Sequence, residues 1–202
     1  MKNLILLSIL CFQFFNSTFA SENKKTILFL GDSLTAGYGV EQEFAYPALV
    51  EKELNKKHQV KVLNGGVSGS TTASGKSRLK WFLKAKPDIL VLILGANDGL
   101  RGIKLEESKK NLEEIILMAK EKGLKVILGA MLLPPNYGKE YTTKFKKMYE
   151  ELKDQHKLAW IPFVLKDVAG IAEKNIEDGI HPNAKGHAII AKNMIPYLEP
   201  YL

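Results

Sequence analysis

The stretch Thr26-Ile27-Leu28-Phe29-Leu30-Gly31-Asp32-Ser33-Leu34 carries the clearest fold signal in the chain. Its first five residues form a continuous apolar run of strand length, without the alternating polar residues of a half-exposed strand. A small polar cluster, residues 31–34, follows the run directly. The pattern is typical of a strand that is covered on both faces of a parallel sheet and ends in a tight turn.

Four further apolar runs of strand length follow, at residues 60–63, 89–94, 126–130 and 159–164. The longer segments between them are amphipathic, and we predict helices at residues 47–57, 105–122 and 141–157 and from Asn183 onward. Strand and helix therefore alternate along the chain. This alternation predicts an α/β fold in which helices cover both faces of a five-stranded parallel sheet.

The first twenty residues differ in kind from the rest of the chain. A basic lead at Met1-Lys2-Asn3 precedes an apolar run from Leu4 to Phe15, and small residues follow in Thr18-Phe19-Ala20. This is the pattern of a cleaved secretory signal peptide, and the run is too short for a membrane span. We therefore predict a signal peptide over residues 1–20, a single domain over residues 21–202, and a periplasmic or secreted protein.

Composition narrows the classes of partner. Cys11, the only cysteine of the 202 residues, lies in the predicted signal peptide, so the mature chain has no thiol nucleophile and no disulfide. The net charge of +7 comes mostly from scattered lysines, and the only arginines are Arg78 and Arg101. Because phosphate recognition favours arginine, we expect no nucleic acid partner. Weak attraction to an anionic membrane surface stays open, and we expect a monomer.

Small polar clusters follow three of the predicted strands, at residues 31–34, 64–69 and 95–99. The carboxyl ends of parallel strands meet at one edge of the sheet, and ligands of such sheets bind there. Each cluster alone would be an ordinary turn, since turns are built from Gly, Asn, Asp and Ser. Three clusters at the same edge favour a functional site.

A chain without a thiol needs a hydroxyl nucleophile, which a neighbouring base must activate. Of the four histidines, His58 and His156 lie in polar runs typical of surface, and His187 falls inside a helix. His181 lies in a loop, with Asp178 three residues before it to orient the imidazole. The segment alone could be a turn before a helix, but together with the three clusters it favours a catalytic base.

Acyl transfer also needs hydrogen-bond donors for the developing oxyanion. The backbone N–H groups of Ser33 and Gly69 and the side-chain amide of Asn97 would supply three, one from each cluster. Each residue also has a plain structural interpretation. Ser33 could cap the first helix, Asn97 could belong to a turn, and Gly69 could give flexibility to a loop.

These residues resemble the conserved blocks of the SGNH or GDSL hydrolase family in order and spacing. The matching segments are residues 31–34, Gly69, residues 95–98 and residues 178–183. Longer stretches are similar to a subgroup of secreted bacterial acyl-CoA thioesterases, lysophospholipases and arylesterases, at residues 31–39, 97–102 and 133–138. The resemblance extends over nearly the whole mature chain.

The resemblance implies a flavodoxin-like, three-layer α/β/α fold. It implies Ser33 as the nucleophile, His181 as the base and Asp178 as its orienting residue, with Ser33, Gly69 and Asn97 as the oxyanion site. It further implies hydrolysis of a broad set of small-molecule acyl esters and thioesters through an acyl-enzyme, without cofactor or metal. Carbohydrate deacetylases share the same blocks, so a carbohydrate O-acetylesterase remains the alternative.

Apolar residues in the loops beside the predicted site suggest a groove for an acyl chain. They are Tyr38, Leu100, Ile103, Leu133, Pro134, Tyr137 and Ile180. Packing of the loops among themselves accounts for the same residues equally well.

Other classes fit less well. Residues 69–77 resemble a phosphate-binding P-loop, but Ser70 stands where the pattern requires glycine, and Asp88 precedes its strand instead of ending it. A binding module without activity would not need Ser33 together with His181 and its aspartate. The chain has no His-Glu-x-x-His run, so a metal-dependent hydrolase is not indicated.

Overall fold

The computed structural model describes residues 24–202, and the predicted signal peptide lies outside them. A five-stranded, fully parallel sheet forms the centre, with the strand order β2-β1-β3-β4-β5. This is the flavodoxin-like order, so the predicted α/β class and sheet are confirmed. The strands are β1 (Lys25–Gly31), β2 (Val60–Gly66), β3 (Ile89–Ile93), β4 (Lys125–Gly129) and β5 (Ala159–Ile161).

Helices cover both faces of the sheet. In one layer α2 packs against α7, and in the other α3, α5 and α6 form a contiguous group. None of the helices described is long and apolar enough to cross a membrane. The seven helices described are α1 (Ser33–Ala36), α2 (Tyr46–Leu54), α3 (Gly75–Phe82), α4 (Ala96–Leu100), α5 (Leu105–Glu121), α6 (Lys139–His156) and α7 (Ala184–Leu198).

The central strands are covered on both faces, as their unbroken apolar runs predict. All five residues of β3 and the segment Ile27–Leu30 of β1 are buried. Two strand ends differ from the prediction by three residues, and the other differences are of one residue. β2 extends through Gly66, because its last residues pair in register with the end of β1. β5 stops at Ile161, and Val164 then donates its N–H to Ala130 as the chain turns into a loop.

Helix α3 was not predicted, because its apolar periodicity is weak. Only Gly75 and Leu79 of its eight residues are buried, and basic residues separate them. The short helices α1 and α4 were also missed, since both start within polar clusters that resemble turns. The four predicted helices are present, with ends within about three residues of the expected positions.

A buried polar bridge connects the first turn after β1 to the last helix. The Tyr46 hydroxyl lies 2.6 Å from the Thr35 hydroxyl, and the Tyr46 backbone N–H donates to Nδ1 of His187 at 3.2 Å. His187 is completely buried and its ring stacks on that of Tyr46. His187 thus supplies the acceptor that the start of α2 lacks, since α2 has no side-chain cap of its own.

The other two histidines outside the predicted site differ from each other. His58 is only partly buried, in the turn before β2. His156 was expected at the surface, but this expectation is wrong. Its Nε2 lies 2.8 Å from the Glu113 carboxylate, and only 10% of its side chain is exposed, because α5 and α6 pack together there.

We predict that His187 makes the protein sensitive to acid. Burial, with a smaller contribution from the charge of His181, lowers the pKa of His187 to about 4. Its ordinary pKa is about 6.5, so the unfolded chain takes up this proton first. The stability contributed by neutral His187 is therefore present above about pH 6.5 and is lost as the pH falls towards 4.

The variant His187→Gln keeps an acceptor for the Tyr46 N–H but cannot take up a proton. At each pH, the free energy of unfolding of the variant is compared with that of the unmodified protein. This difference should change by about 3 kcal/mol in favour of the variant when the pH is lowered from 7 to 4. Urea denaturation at the two pH values measures this difference. His58→Gln is the matched control and should show no such trend. Equal pH dependence of His187→Gln and the unmodified protein would refute the prediction.

Candidate active site

Ser33 lies at the point where β1 gives way to α1. Asp32 is the N-cap of α1, and its carboxylate accepts the Leu34 N–H at 3.0 Å. The alternative in which Ser33 itself caps the helix is therefore wrong. As the first helical residue, Ser33 has a backbone N–H without an acceptor inside the helix. Its side chain reaches the carboxyl edge of the sheet.

The loop before α7 brings an imidazole to this serine. Nε2 of His181 lies 2.9 Å from Oγ of Ser33, across 148 residues of sequence. Nδ1 of His181 lies 2.6 Å from the Asp178 carboxylate. When Nδ1 carries the imidazole proton and donates a hydrogen bond to Asp178, Nε2 is unprotonated and can accept the hydroxyl proton of Ser33. The predicted hydroxyl, base and orienting carboxylate therefore meet in one hydrogen-bonded line.

Asp178 is held as a carboxylate by its own loop. Its Oδ1 accepts the backbone N–H groups of Ile180 and His181, at 3.0 and 2.9 Å. Partial burial on its own would raise the pKa of Asp178. The two N–H groups and the imidazole of His181 outweigh burial and hold the pKa below its usual value. Asp178 is therefore ionised at neutral pH and can accept a hydrogen bond from the imidazole.

Two asparagines fix the shape of the loop that carries His181. The Asn175 side chain donates to the carbonyls of Val168 and Ile171, at 2.9 and 2.8 Å. Asn183 caps α7 by accepting the N–H groups of its first turn. The predicted capping role of Asn183 is confirmed, and it places His181 just before a rigid helix start.

Asn97 lies in α4, directly after β3. Its Nδ2 donates to the Ser70 carbonyl at 3.1 Å and lies 3.4 Å from the Asp32 carboxylate. Asn97 therefore sits between the loop that follows β2 and the residue next to Ser33. The strand order explains this proximity, because β1 and β3 are neighbours at the point where the sheet changes direction.

Asp98 has a structural role that the sequence did not reveal. Its buried carboxylate accepts the backbone N–H of Thr72 at 3.0 Å and the Thr72 hydroxyl at 2.6 Å. It also accepts the Ser108 hydroxyl at 3.1 Å. These bonds tie the loop after β2 to α4 and α5. No pattern in the sequence indicates that Asp98 and Thr72 are partners, because 26 residues separate them.

Gly69 lies in that same loop, with a backbone φ of +75° that side chains other than glycine rarely adopt. Its carbonyl accepts Nη2 of Arg101 at 3.0 Å. Within residues 24–202, its N–H donates to no acceptor and so stays available. Gly69 does not line the cavity described next.

Asp32 is a buried carboxylate beside the serine. Burial raises its pKa to about 6, although the N–H of Leu34 and the positive charges of His181 and Arg78 act in the opposite direction. Nη2 of Arg78 donates to the carbonyls of Gly31 and Gly65. Through its contacts with the Leu34 N–H and with the Asn97 amide, Asp32 joins the start of α1 to α4.

An open cavity of about 690 Å³ begins at Ser33 and His181. Of the residues predicted for an acyl groove, Leu100, Leu133, Pro134 and Ile180 line it. Tyr38, Ile103 and Tyr137 do not. The ring of Tyr38 lies against the His181 ring, with 4.7 Å between centroids. The Tyr137 hydroxyl donates to the Leu100 carbonyl and so braces the loop after α4.

The loop after β4, which supplies Leu133 and Pro134 of the predicted groove, also contributes Met131, Leu132, Pro135 and Asn136. The part of the wall from the loop after β5 was missed, and it consists of Phe163, Leu165, Ala169 and Gly170. Phe163 was missed because the sequence pattern predicts a strand through Val164, whereas β5 ends at Ile161.

The competing classes find no support in this geometry. Lys76 of the P-loop-like stretch pairs with Glu114 at 2.9 Å. Asp88 precedes β3 and accepts the backbone N–H of Thr26, so it lies at the opposite edge of the sheet from Ser33. Among residues 24–202, no group of three His, Cys, Asp or Glu side chains could hold a metal ion.

A parallel α/β sheet with a Ser-His-Asp line at its carboxyl edge defines a serine hydrolase of the SGNH type. Residues 29–189 match the model of the GDSL-like lipase/acylhydrolase family. The chain belongs to this family.

Known proteins similar to this chain agree in length as well as in sequence. An arylesterase of Vibrio mimicus is 37% identical over 191 residues, 94% of this chain and 96% of the relative. The thioesterase 1/protease 1/lysophospholipase L1 of Escherichia coli K12 is 37% identical over 186 residues, 91% and 88% of the two chains. The crystal structure of TesA superposes with a TM-score of 0.85 at 37% identity, and covers 88% of this chain and all of that one.

We predict that an alkyl fluorophosphonate labels Ser33 and that labelling depends on Asp178. Asp178→Asn would hold the imidazole in the wrong tautomer, which costs about 10⁴-fold in such a triad. The rate of labelling, followed by intact-protein mass spectrometry, measures the effect. Ser33→Ala should take up no label, and Ser68→Ala, on the same rim, should label normally. Label found on any other residue would contradict the assignment.

Proposed function

We propose that Ser33, His181 and Asp178 hydrolyse carboxylic esters and thioesters through an acyl-enzyme. One observation carries the proposal: Ser33 Oγ, the two nitrogens of His181 and the Asp178 carboxylate form a continuous hydrogen-bonded line. This arrangement activates a hydroxyl for attack on an acyl carbon. The arylesterase and thioesterase relatives support both bond types.

In the first half of the reaction, Oγ of Ser33 attacks the acyl carbon while Nε2 of His181 takes up the hydroxyl proton. Asp178 stabilises the resulting imidazolium by accepting a hydrogen bond from its Nδ1–H, and it remains ionised. The tetrahedral intermediate then collapses. His181 returns the proton to the leaving alcohol or thiol, and the acyl group stays on Ser33.

The oxyanion formed in this step would bind to donors from three loops: the Ser33 N–H, the Gly69 N–H and Nδ2 of Asn97. In the free protein Nδ2 contacts Ser70 and, at 3.4 Å, Asp32. The contact to Asp32 is long for a hydrogen bond. A tetrahedral oxyanion would therefore compete with Asp32 for one amide proton of Asn97.

In the second half, a water molecule replaces the leaving group. His181 takes a proton from the water, which attacks the acyl carbon, and the same donors bind the second oxyanion. The proton then returns from His181 to Ser33 Oγ as the free acid leaves. Every proton transfer uses Nε2, so neither half requires a metal or a cofactor.

The cavity favours acyl chains over sugars. Beyond Ser33 and His181 its wall is formed mainly by aliphatic and aromatic side chains and prolines, and Asn136 is the one polar side chain of the loop after β4 that lines it. Carbohydrate recognition would need several convergent hydrogen-bonding groups. A carbohydrate O-acetylesterase is therefore the weaker candidate. Turnover of phenyl acetate, acyl-CoA, lysophospholipid and an acetylated sugar would rank the substrates.

We further propose that the protein is exported and acts as a monomer in the periplasm or outside the cell. The export proposal rests on the basic lead, apolar run and small residues of positions 1–20. Mass spectrometry of the mature protein would show whether cleavage follows Ala20.

We predict that Ser33→Ala loses nearly all hydrolysis of p-nitrophenyl butyrate, with a fall in kcat of about 10⁴-fold or more. The fold should persist, because the hydroxyl contacts only His181 in the described chain. Circular dichroism and thermal unfolding check the fold. Ser68→Ala is the matched control. Retained turnover in Ser33→Ala would remove Ser33 from the mechanism.

We predict that a bulky residue at Ala169 shortens the preferred acyl chain. Ala169 lines the cavity wall contributed by the loop after β5, so a phenyl ring there would take up space for the distal methylenes. For Ala169→Phe, kcat/KM for p-nitrophenyl decanoate should fall at least tenfold relative to that for the acetate. Ala188→Phe, at an exposed position of α7 outside this cavity, is the control. An unchanged chain-length profile would place the acyl chain elsewhere.

A further inference from the structure

Arg101 contacts both loops that supply the proposed oxyanion donors. It follows α4, and its Nη2 donates to the Gly69 carbonyl at 3.0 Å and lies 3.4 Å from Oδ1 of Asn97. One guanidinium amino group, which carries two hydrogens, therefore joins the loop after β2 to the loop after β3. Arg101 is exposed and does not line the cavity.

The contact with Asn97 determines which way the amide faces. A guanidinium has only donors, so it can bind Oδ1 of Asn97 but not Nδ2. On the other side, the Ser70 carbonyl and the Asp32 carboxylate are acceptors and can bind only Nδ2. Arg101 therefore selects the amide orientation in which Nδ2 lies on the side of Asp32, next to Ser33.

The contact with Gly69 restrains a glycine backbone at the edge of the site. Gly69 has a φ of +75° and no side chain to limit its rotation. Ser70 donates its N–H to the Val67 carbonyl at 3.1 Å, which closes the turn on one side of the Gly69 carbonyl. Arg101 binds the carbonyl itself, so the peptide cannot turn without losing this bond. The Gly69 N–H belongs to the preceding peptide but shares the Cα of Gly69, so holding the carbonyl limits how far this N–H can move.

We propose that Arg101 is a positioning residue that orients the Gly69 N–H and the Asn97 amide for the oxyanion. The proposal rests on the proposed function, because it gives these two donors a common support. Arg101 touches neither Ser33 nor His181, so its effect should appear in the chemical step and not in substrate binding.

The test compares Arg101→Met with the unmodified protein in hydrolysis of p-nitrophenyl butyrate. We expect kcat to fall about ten- to a hundredfold, less than the 10²- to 10³-fold typical of losing an oxyanion donor outright. KM should change less than about twofold, and thermal unfolding should be unaltered. Lys104→Met removes a nearby exposed charge without touching either loop and should leave kcat unchanged. A kcat of Arg101→Met within twofold of the unmodified value would overturn the proposal.

Two further variants separate orientation from charge. Arg101→Lys keeps the positive charge but has no planar guanidinium. Its kcat should therefore be closer to that of Arg101→Met than to that of the unmodified protein. Full activity in Arg101→Lys would assign the effect to charge and overturn the proposal. Added guanidinium ion, at concentrations below those that unfold the protein, should partly restore kcat in Arg101→Ala, and no recovery would count against it.

A double-mutant cycle with Asn97→Ala shows whether Arg101 acts through this amide. In the Asn97→Ala background, Arg101→Met should lower kcat by a clearly smaller factor than it does in the unmodified protein, because one of the two groups that Arg101 binds is gone. A loss of the same size in both backgrounds would overturn the proposal. Turnover by the unmodified protein and its loss in Ser33→Ala, measured in the same assay, test the proposed function separately.

Discussion

The hydrogen bond between Ser33 and His181 joins two groups that lie 148 residues apart, and the rest of the site is arranged around it. The parallel sheet makes this meeting achievable. β1 delivers Ser33 at its carboxyl edge, and the loop before α7 returns to that edge with His181 and Asp178. Small errors in either loop would separate the two groups, because a hydrogen bond weakens steeply with distance and angle.

Several buried or partly buried polar side chains keep these loops in place. Asp98 holds the loop after β2 through Thr72, and Asn175 holds the loop before α7 through two carbonyls. Three of these four bonds satisfy a backbone group that would otherwise lose its contact with water on folding. The same bonds hold the loops that position Asn97 and His181.

Charge and burial divide the carboxylates of the site into different roles. Asp178 is surrounded by N–H donors and stays ionised, which suits the orientation of an imidazole. Asp32 is buried beside Ser33, and burial raises its pKa to about 6. Asp98 accepts three hydrogen bonds and acts as a structural anchor. All three residues are aspartates, so the differences in their roles come from their surroundings.

The order of apolar runs and polar clusters was sufficient to predict the five parallel strands, the shared edge, and the roles proposed for His181 and Asp178. The nucleophilic role proposed for Ser33 came from the resemblance to the SGNH or GDSL family. These features are local patterns, and the period of the chain and the chemistry of its side chains determine them. The full wall of the cavity, the anchoring role of Asp98, the burial of His187 and the bridge made by Arg101 were decided by the tertiary structure alone. Each depends on contacts between segments far apart in sequence, and no local pattern specifies which distant backbone or side chain will lie within a few ångströms.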